Sequence, residues 1–449
     1  MAKVKGSAPS GFRDQFKGQL IGPDDAEYDQ ARVVWNAMAD RRPALIARCT
    51  DAEDVVAAIR FGREEELLIA VRGGGHSLAG FSTCDGGLVI DLSPMREVTV
   101  DPVTKRARAK GGAHLSQLDQ AAQAHGLVCP VGVVGHTGVA GLTLGGGMGR
   151  LQRKFGLTVD NLLGVDLVTA EGEKVHASET EHPDLFWGLR GAGANFGVAT
   201  SFDFRLHPMD GTIFHGGTVF PIDRSLEIAE RVRQFVATHD DVGVWISFGR
   251  AEELEGRPVF LVGTTHAGPI EQAEKDVRGF REASPLLDWY GTKTYLAVQS
   301  MNDEVLGWGN RFYTKAGFFP ELTDEVVTAC AALTESVEGS SELSLWAHGG
   351  AVGRVPDDAM AYTGRNAAFN VSAETWWTDP ADDDARIAWA RAAHASLRPF
   401  MSTGVYVNEV MDGSSGAQIY GQAKYERLVA LKRKYDPNNV FHLNQNIRP

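Results

Sequence analysis

Apolar residues recur along this chain at two periods, and each change of period marks an element. The pattern predicts a helix over Asp24 to Met38 with an acidic first turn, then a short strand at Ala44–Cys49. Thr50 followed by Glu53 reads as a capping box that opens a helix over Val55–Glu65. Leu68–Arg72 is an apolar strand, so strand, helix and strand form a βαβ unit and predict an α/β layer. Strands at Gly87–Leu92 and Ala107–Gly112 flank the turn at Asp101. Leu115, Leu118, Ala121 and Ala122 share one face of a helix over Leu115–His125. Val159–Ala170, Lys174–His176 and Ser201–Pro208 read as further strands. From about Met209 helices Leu226–His239 and Ile270–Ala283 alternate with strands Val242–Phe248, Pro258–Thr265 and Leu343–His348, predicting a sheet backed on one side by helices. Asp379–Asp384 is an acidic helix start. The terminal helix Gln422–Tyr435 ends on Lys432, Arg433 and Lys434, which suit its negative end.

Composition narrows the class. At 449 residues the chain is too long for one ordinary core, so two domains are expected. A net charge of −14 disfavours nucleic acid and anionic membrane surfaces, since both need a basic face. Cys49, Cys84, Cys129 and Cys330 form no CxxC pair, so neither zinc nor a disulfide framework is signalled. No apolar run approaches membrane-spanning length, and a cytoplasmic enzyme, monomeric or homo-oligomeric, is the expectation.

Glycine carries the chemistry. In Val71–Gly80, the run Gly73-Gly74-Gly75 strips every Cβ from one wall of a turn, so a bulky anionic ligand can lie on backbone N–H groups. Arg72 adds a cation, His76 the only reactive side chain, and Ser77 and Gly80 complete the turn. A second segment, Val131–Gly149, spreads Gly132, Gly135, Gly138, Gly141, Gly145, Gly146 and Gly149 over an extended backbone-lined trough. It lacks the strand before and the helix after that a Rossmann turn needs. A third glycine-dense stretch, Asp184–Thr200, includes Asn195, Gly197 and Val198.

These stretches resemble the vanillyl-alcohol-oxidase type of FAD-linked oxidases. Val71–Ser77 is similar to the type's first flavin-binding segment. Val131–Gly149 with Leu157, Asp160 and Asn161, the 182–200 stretch, and Tyr435–Ile447 look like its berberine-bridge-enzyme branch. The resemblance implies an α+β fold: a two-subdomain FAD-binding domain built from both chain ends (1–208 and 401–449) and an inserted cap, 209–400, of a sheet backed by helices. It implies FAD bonded through its 8-methyl carbon to His76. The alternative is a His76 that only hydrogen-bonds in a noncovalent flavoprotein. Cys129 is the counterpart of a second anchor in bicovalent members. Here one residue fewer separates it from Val131-Gly132, a displacement of about 3–4 Å, so packing near the ring competes with a bond. The resemblance places His136 at the ribityl chain or ring edge, and Val131 where oxidases keep a small residue and leave room for O2.

Hydride transfer needs a base within hydrogen-bond reach of the proton that leaves. Val405–Glu409 resembles the family's tyrosine-x-asparagine motif, making Tyr406 the leading base and Asn408 a positioning group, against a reading of Tyr406 as ordinary core. Tyr362, Glu374 and Tyr420 are weaker alternatives. Asn444 and Asn446 could contact the flavin or simply close the domain edge. Trp308, Tyr313, Phe318, Trp346, Trp376 and Trp377 permit an aromatic substrate without requiring one. The resulting expectation is an oxidase of a small alcohol, amine or sugar-like substrate that releases hydrogen peroxide. A dehydrogenase with another acceptor, or a flavin-holding binding protein without turnover, are the alternatives.

Overall fold

The computed structural model describes residues 10–336 and 339–449. Strands β1 (Gln19–Ile21), β2 (Leu45–Arg48), β3 (Ile69–Arg72) and β4 (Leu88–Asp91) form a sheet in the order β1-β2-β4-β3. Both β2 and β3 pair with β4 in parallel, so helix Ala52–Glu64 is the crossover of the expected βαβ unit. Val55, Ala58 and Ile59 bury its apolar stripe completely. The cap differs from expectation by one residue: Asp51 is the N-cap, its carboxylate accepting from Asp54 N at 3.0 Å. Thr50 instead donates its hydroxyl to Asp54 at 2.7 Å. An ionised Asp satisfies the orphan amide and also faces the positive helix end.

The helix expected over Asp24–Met38 is a correction: only Tyr28–Ala31 is helical. Beyond it the chain is captured by tertiary bonds. Trp35 N donates to Gly75 O at 3.1 Å, and Asn36 Nδ2 donates to Leu78 O at 2.7 Å and Phe312 O at 2.9 Å.

The second sheet is antiparallel, in the order β5 (Val98–Asp101), β6 (Arg106–Lys110), Val198–Arg205, Leu162–Val168, Lys174–Ser178. Helix Leu115–Gln123 lies close to it. The second glycine segment is not an extended trough throughout, since Val139–Gly145 is a short helix. Val139, Ala140 and Leu144 enter the main core and hold it, and Gly146 at φ 129° ends it.

The cap sheet runs in the order Leu287–Asp288, Thr212–Pro221, Arg257–His266, Gly243–Ala251, Ser341–Ala347, Phe369–Trp377, Arg311–Phe319. Helices Ser225–Thr238, Asp324–Leu333 and Asp383–Leu397 cover one face, where Val244, Ile246, Phe248, Leu343, Leu345 and Val371 join Ile228, Val232 and Val327 in a single cluster. The helix expected over Ile270–Ala283 is broken into Ile270–Asp276 and Arg278–Arg281. Val277, between them, is buried against Phe214 and Ala273.

Two buried cations lock the parts together. Arg153, in the glycine-rich half, donates to the carbonyls of Val242, His348, Val236 and His239 in the cap. Lys432, in the C-terminal helix Gln422–Tyr435, donates to Asn195 O and Phe441 O, each at 2.8 Å, and to Asp436 at 2.7 Å. That bond set returns the C-terminal segment to the first domain.

Candidate active site

The loop that leaves β3 is built to take an anion. From Gly73 to Ala79 no backbone N–H donates to an acceptor among the described residues. Gly75 and Gly80 both stand at φ 73°, a conformation that costs a residue with a Cβ. A Cβ on Gly74 would overlap the backbone of Gly138, so the two glycine segments meet main chain to main chain. A run of unpaired amides is the donor set a diphosphate needs. Arg72 does not add its charge to this loop. Its buried guanidinium donates to the carbonyls of Ala31, Ser82 and Arg32, which corrects the expectation of a phosphate-facing cation.

His76 sits at the end of that run, stacked on Trp35 at 4.9 Å and meeting the edge of Trp308 at 6.0 Å. Its Nε2 lies 2.6 Å from His136 Nδ1, and His136 Nε2 lies 3.2 Å from the carbonyl oxygen of Asp303. A carbonyl only accepts, so His136 Nε2 carries a hydrogen, Nδ1 accepts, and His76 Nε2–H is the donor. His76 Nδ1 is left with its lone pair, 3.3 Å from the Thr137 hydroxyl. Burial pushes the His76 pKa well below the usual histidine value, and His136 and His114 add to the shift. The imidazole is therefore neutral at pH 7.

The second glycine segment meets the returning chain at Tyr406. Its hydroxyl oxygen accepts from Gly147 N at 3.2 Å, Met148 N at 3.3 Å and Asn408 Nδ2 at 2.9 Å. Asn408 Nδ2 also donates to Leu142 O at 3.1 Å. A Cβ on Gly145 would overlap Asn408, and one on Gly146 would lie 2.5 Å from the Tyr362 ring, so glycine is required at both places. Burial pushes Tyr406 up to about 12, against the lowering effect of Asn408 and the two amides. Tyr362 has its hydroxyl 3.1 Å from His348 Nε2, and the buried Tyr420 hydroxyl has no partner.

The other expected residues divide. Asp160 pairs with Arg365 at 2.5 Å and accepts from Leu157 N at 2.9 Å. Asn161 donates to Phe155 O at 2.9 Å and Leu157 O at 3.0 Å and meets His207 Nε2 at 2.6 Å. Both side chains are taken up by bonds within the protein. Asn195 accepts from Ile447 N at 3.0 Å, with Gly197 and Val198 following into their strand. Asn444 and Asn446 each keep a buried carboxamide oxygen with no partner. Gly135 N donates to Asp303 at 2.6 Å, and Gly141 faces open space. Val131 packs its carbonyl where a Cβ on Gly149 would go, and Gly132 O accepts from Gln299. Cys129 is fully buried in the core cluster, and burial raises its thiol well above the ordinary range.

Several residues at the site escaped the sequence reading. Trp35 and Asp303 reach His76 and His136 from segments far away in the chain. Glu342 and Glu409 carry no local signal beyond a polar position in an apolar stretch. Glu409 Oε2 accepts from Asn370 Nδ2 at 2.9 Å and Ser372 Oγ at 2.8 Å, and burial raises it to about 7.

Comparison with known proteins agrees with this construction. The FAD binding domain family matches residues 43–178, and the "Berberine and berberine like" family matches residues 405–448. An FAD-linked oxidoreductase of Dictyostelium discoideum is 32% identical over 98% of this chain and 96% of its own. The (R)-6-hydroxynicotine oxidase of Paenarthrobacter nicotinovorans is 31% identical over 97% of both. Among solved structures, 6-hydroxy-D-nicotine oxidase from Arthrobacter nicotinovorans superposes with a TM-score of 0.86 at 29% identity, covering 97% of this chain and 98% of its own. The fold of xylooligosaccharide oxidase from Myceliophthora thermophila is also shared, with a TM-score of 0.88 at 23% identity over 98% of both chains.

Fold, site and relatives define an FAD-dependent oxidoreductase. The chain belongs to the berberine-bridge-like branch of the vanillyl-alcohol-oxidase type. Its own residues fit the cofactor: unpaired amides for the diphosphate, a backbone-lined contact between two glycine segments, and two unpaired carboxamide oxygens on the returning segment.

Proposed function

We propose that the protein is an oxidase that takes a hydride and a proton from a small alcohol, amine or sugar-like substrate and delivers the electron pair to O2. FAD held against the amides of Gly73–Ala79 would supply the two-electron acceptor for the hydride and the route by which the pair reaches O2 as hydrogen peroxide. The observation that carries the reading is the Tyr406 hydroxyl. Three N–H donors hold its oxygen, and no acceptor among the described residues takes its own hydrogen. As phenolate, Tyr406 accepts the substrate's proton, and the amides of Gly147 and Met148 with Asn408 stabilise the negative oxygen. Burial opposes them, so the phenolate fraction at neutral pH is small.

His76 is the covalent anchor in this reading. It is neutral and stacked on Trp35, and the Nδ1 lone pair that would bond to carbon meets the Thr137 hydroxyl at 3.3 Å. Cys129 takes no part: its thiol is pushed up by burial and then by Asp119, so the thiolate that would attack is disfavoured.

Stopped-flow mixing of dithionite-reduced protein with O2 tests the oxidase claim. Reoxidation that is fast and first-order in O2 is expected. Reoxidation that is slow, but quickened by an artificial acceptor such as a quinone, would make the protein a dehydrogenase.

A further inference from the structure

The cap sheet has a second face, and its register places side chains on it in three rows. Trp245, Trp346, Asn370 and Phe318 are successive cross-strand partners. Two residues along, Ser247, Ser344, Ser372 and Ala316 form the next row. In the third row Glu342 stands directly opposite Glu374. The intervening positions on these strands, such as Ile246, Leu345, Val371 and Phe319, point to the covering helices, so the three rows face the other way. Glu409 reaches this face from beside Tyr406 and bonds Asn370 and Ser372.

Three carboxylates are thus gathered, and among the described residues no cation is paired with any of them. The basic residues of the neighbouring strand, Arg311 and Lys315, occupy the alternate positions and pair with Asp383 and Asp412. Like charges directly opposite each other across a sheet are destabilising, and burial makes them more so. Ser247 donates to Glu342, and Asn370 and Ser372, which donate to Glu409, are likewise neutral. Burial raises all three, and Glu374 is raised further by Glu409 and Glu342.

A second feature points to a ligand. Asn370 is fully buried, its Nδ2 is spent on Glu409 and Ser372, and its Oδ1 has no partner among the described residues. An unpaired acceptor among acids is matched by a ligand that only donates. Beside it Trp245 and Trp346 stack at 5.9 Å, with His215 continuing the stack at 5.2 Å from Trp245. Both indoles and all three acids remain partly open, although they lie inside the fold.

We propose that this face recognises a cationic amine carrying a flat ring, with Glu342, Glu374 and Glu409 supplying the charge and Trp245 and Trp346 the stacking surface. The proposal rests on the oxidase reading only in placing the substrate between this face and Tyr406. An ammonium draws the acids into their ionised form, donates to the free acceptor, and gains cation–π attraction from the indoles. A neutral sugar would meet the serine row equally well but leave the three acids unpaired.

Binding, rather than turnover, is the test. Benzamidinium carries a flat ring, a positive charge at pH 8 and N–H donors, and has no hydrogen on the carbon beside its nitrogens to lose as hydride. Its affinity for the FAD-loaded protein is measured by titration calorimetry against benzyl alcohol. At pH 8 wild type is expected to bind the cation at least tenfold more tightly. E342Q and E374Q should each weaken the cation about tenfold, corresponding to about 1.4 kcal/mol, and leave benzyl alcohol within about twofold. Equal affinity for the two probes in wild type, or cation binding unaffected by both variants, would overturn the proposal. The wild-type comparison decides the matter even where a variant fails to fold. Slow reoxidation by O2 alongside carboxylate-dependent cation binding would remove the oxidase reading and leave this one standing.

Discussion

Replacing Lys432 by Met tests how the C-terminal return is held. Lys432 and Asp436 have no exposed side-chain surface. Asp436 also accepts from Val440 N at 2.7 Å and Phe441 N at 2.9 Å, while Lys432 ties Asn195 O and Phe441 O to the same point. Met fills most of the lysine's volume, so the loss is electrostatic: an uncompensated buried carboxylate and two carbonyls without a donor. Breaking a buried pair from one side costs about 3–5 kcal/mol. A change of that size lowers the melting temperature of a protein this large by several degrees. Because Phe441 leads directly to Asn444 and Asn446, exposure of the tethered flavin on heating should come earlier by a similar amount. The assay is a pair of thermal melts, one on intrinsic fluorescence and one on flavin fluorescence. K432M/D436N removes both charges while keeping an acceptor oxygen for the amides, and should recover part of the loss. A K432M melt within one degree of wild type, or a double variant as unstable as the single, would refute the reasoning.

Other outcomes follow from the site. Y406F should slow anaerobic reduction of the flavin by substrate about 10²–10⁴-fold, the usual contribution of a positioned base, while reoxidation of the dithionite-reduced protein by O2 stays unchanged. With Tyr406 up at about 12, kcat/KM in wild type should climb steadily from pH 7 to pH 10. A flat profile there would remove the phenolate from the mechanism. Glu409 sits at about 7 when folded against 4.5 ordinarily. The folded chain therefore holds that proton longer than the unfolded chain, and wild-type stability falls as pH rises between those values. E409Q lacks this term, so denaturant midpoints should show its stability relative to wild type improving from pH 4.5 to 7. G74A places a methyl into the Gly138 backbone and should abolish FAD incorporation, seen as a purified protein without flavin absorbance.

Most of the architecture was legible because it is local. The crossover helix shows its burial stripe in the chain, and the terminal helix runs from Gln422 to Tyr435 as its pattern implies. Both ends of the cap sheet's alternation are visible in the same way. Misreadings fall where distant bonds override local pattern. The Asp24–Met38 helix stops because Trp35 and Asn36 are claimed by Gly75, Leu78 and Phe312. Arg72 reads as a free cation until the carbonyls of Ala31 and Ser82 are brought to it. The facing of Glu342 and Glu374 depends on a strand register that nothing local encodes. At the site, glycine positions could be found from sequence because close backbone approach admits no other residue. The surroundings of His76 could not, since Trp35, His136 and the Asp303 that bonds His136 come from three separate segments.

The central claim is that FAD lies against the loop Gly73–Ala79, with His76 bonded to it. Intact-mass spectrometry of the purified yellow protein, after acid denaturation, tests this most directly. The expected result is one adduct of FAD mass on wild type and none on H76A. A wild-type chain at its unmodified mass, with all FAD free in the supernatant, would contradict it.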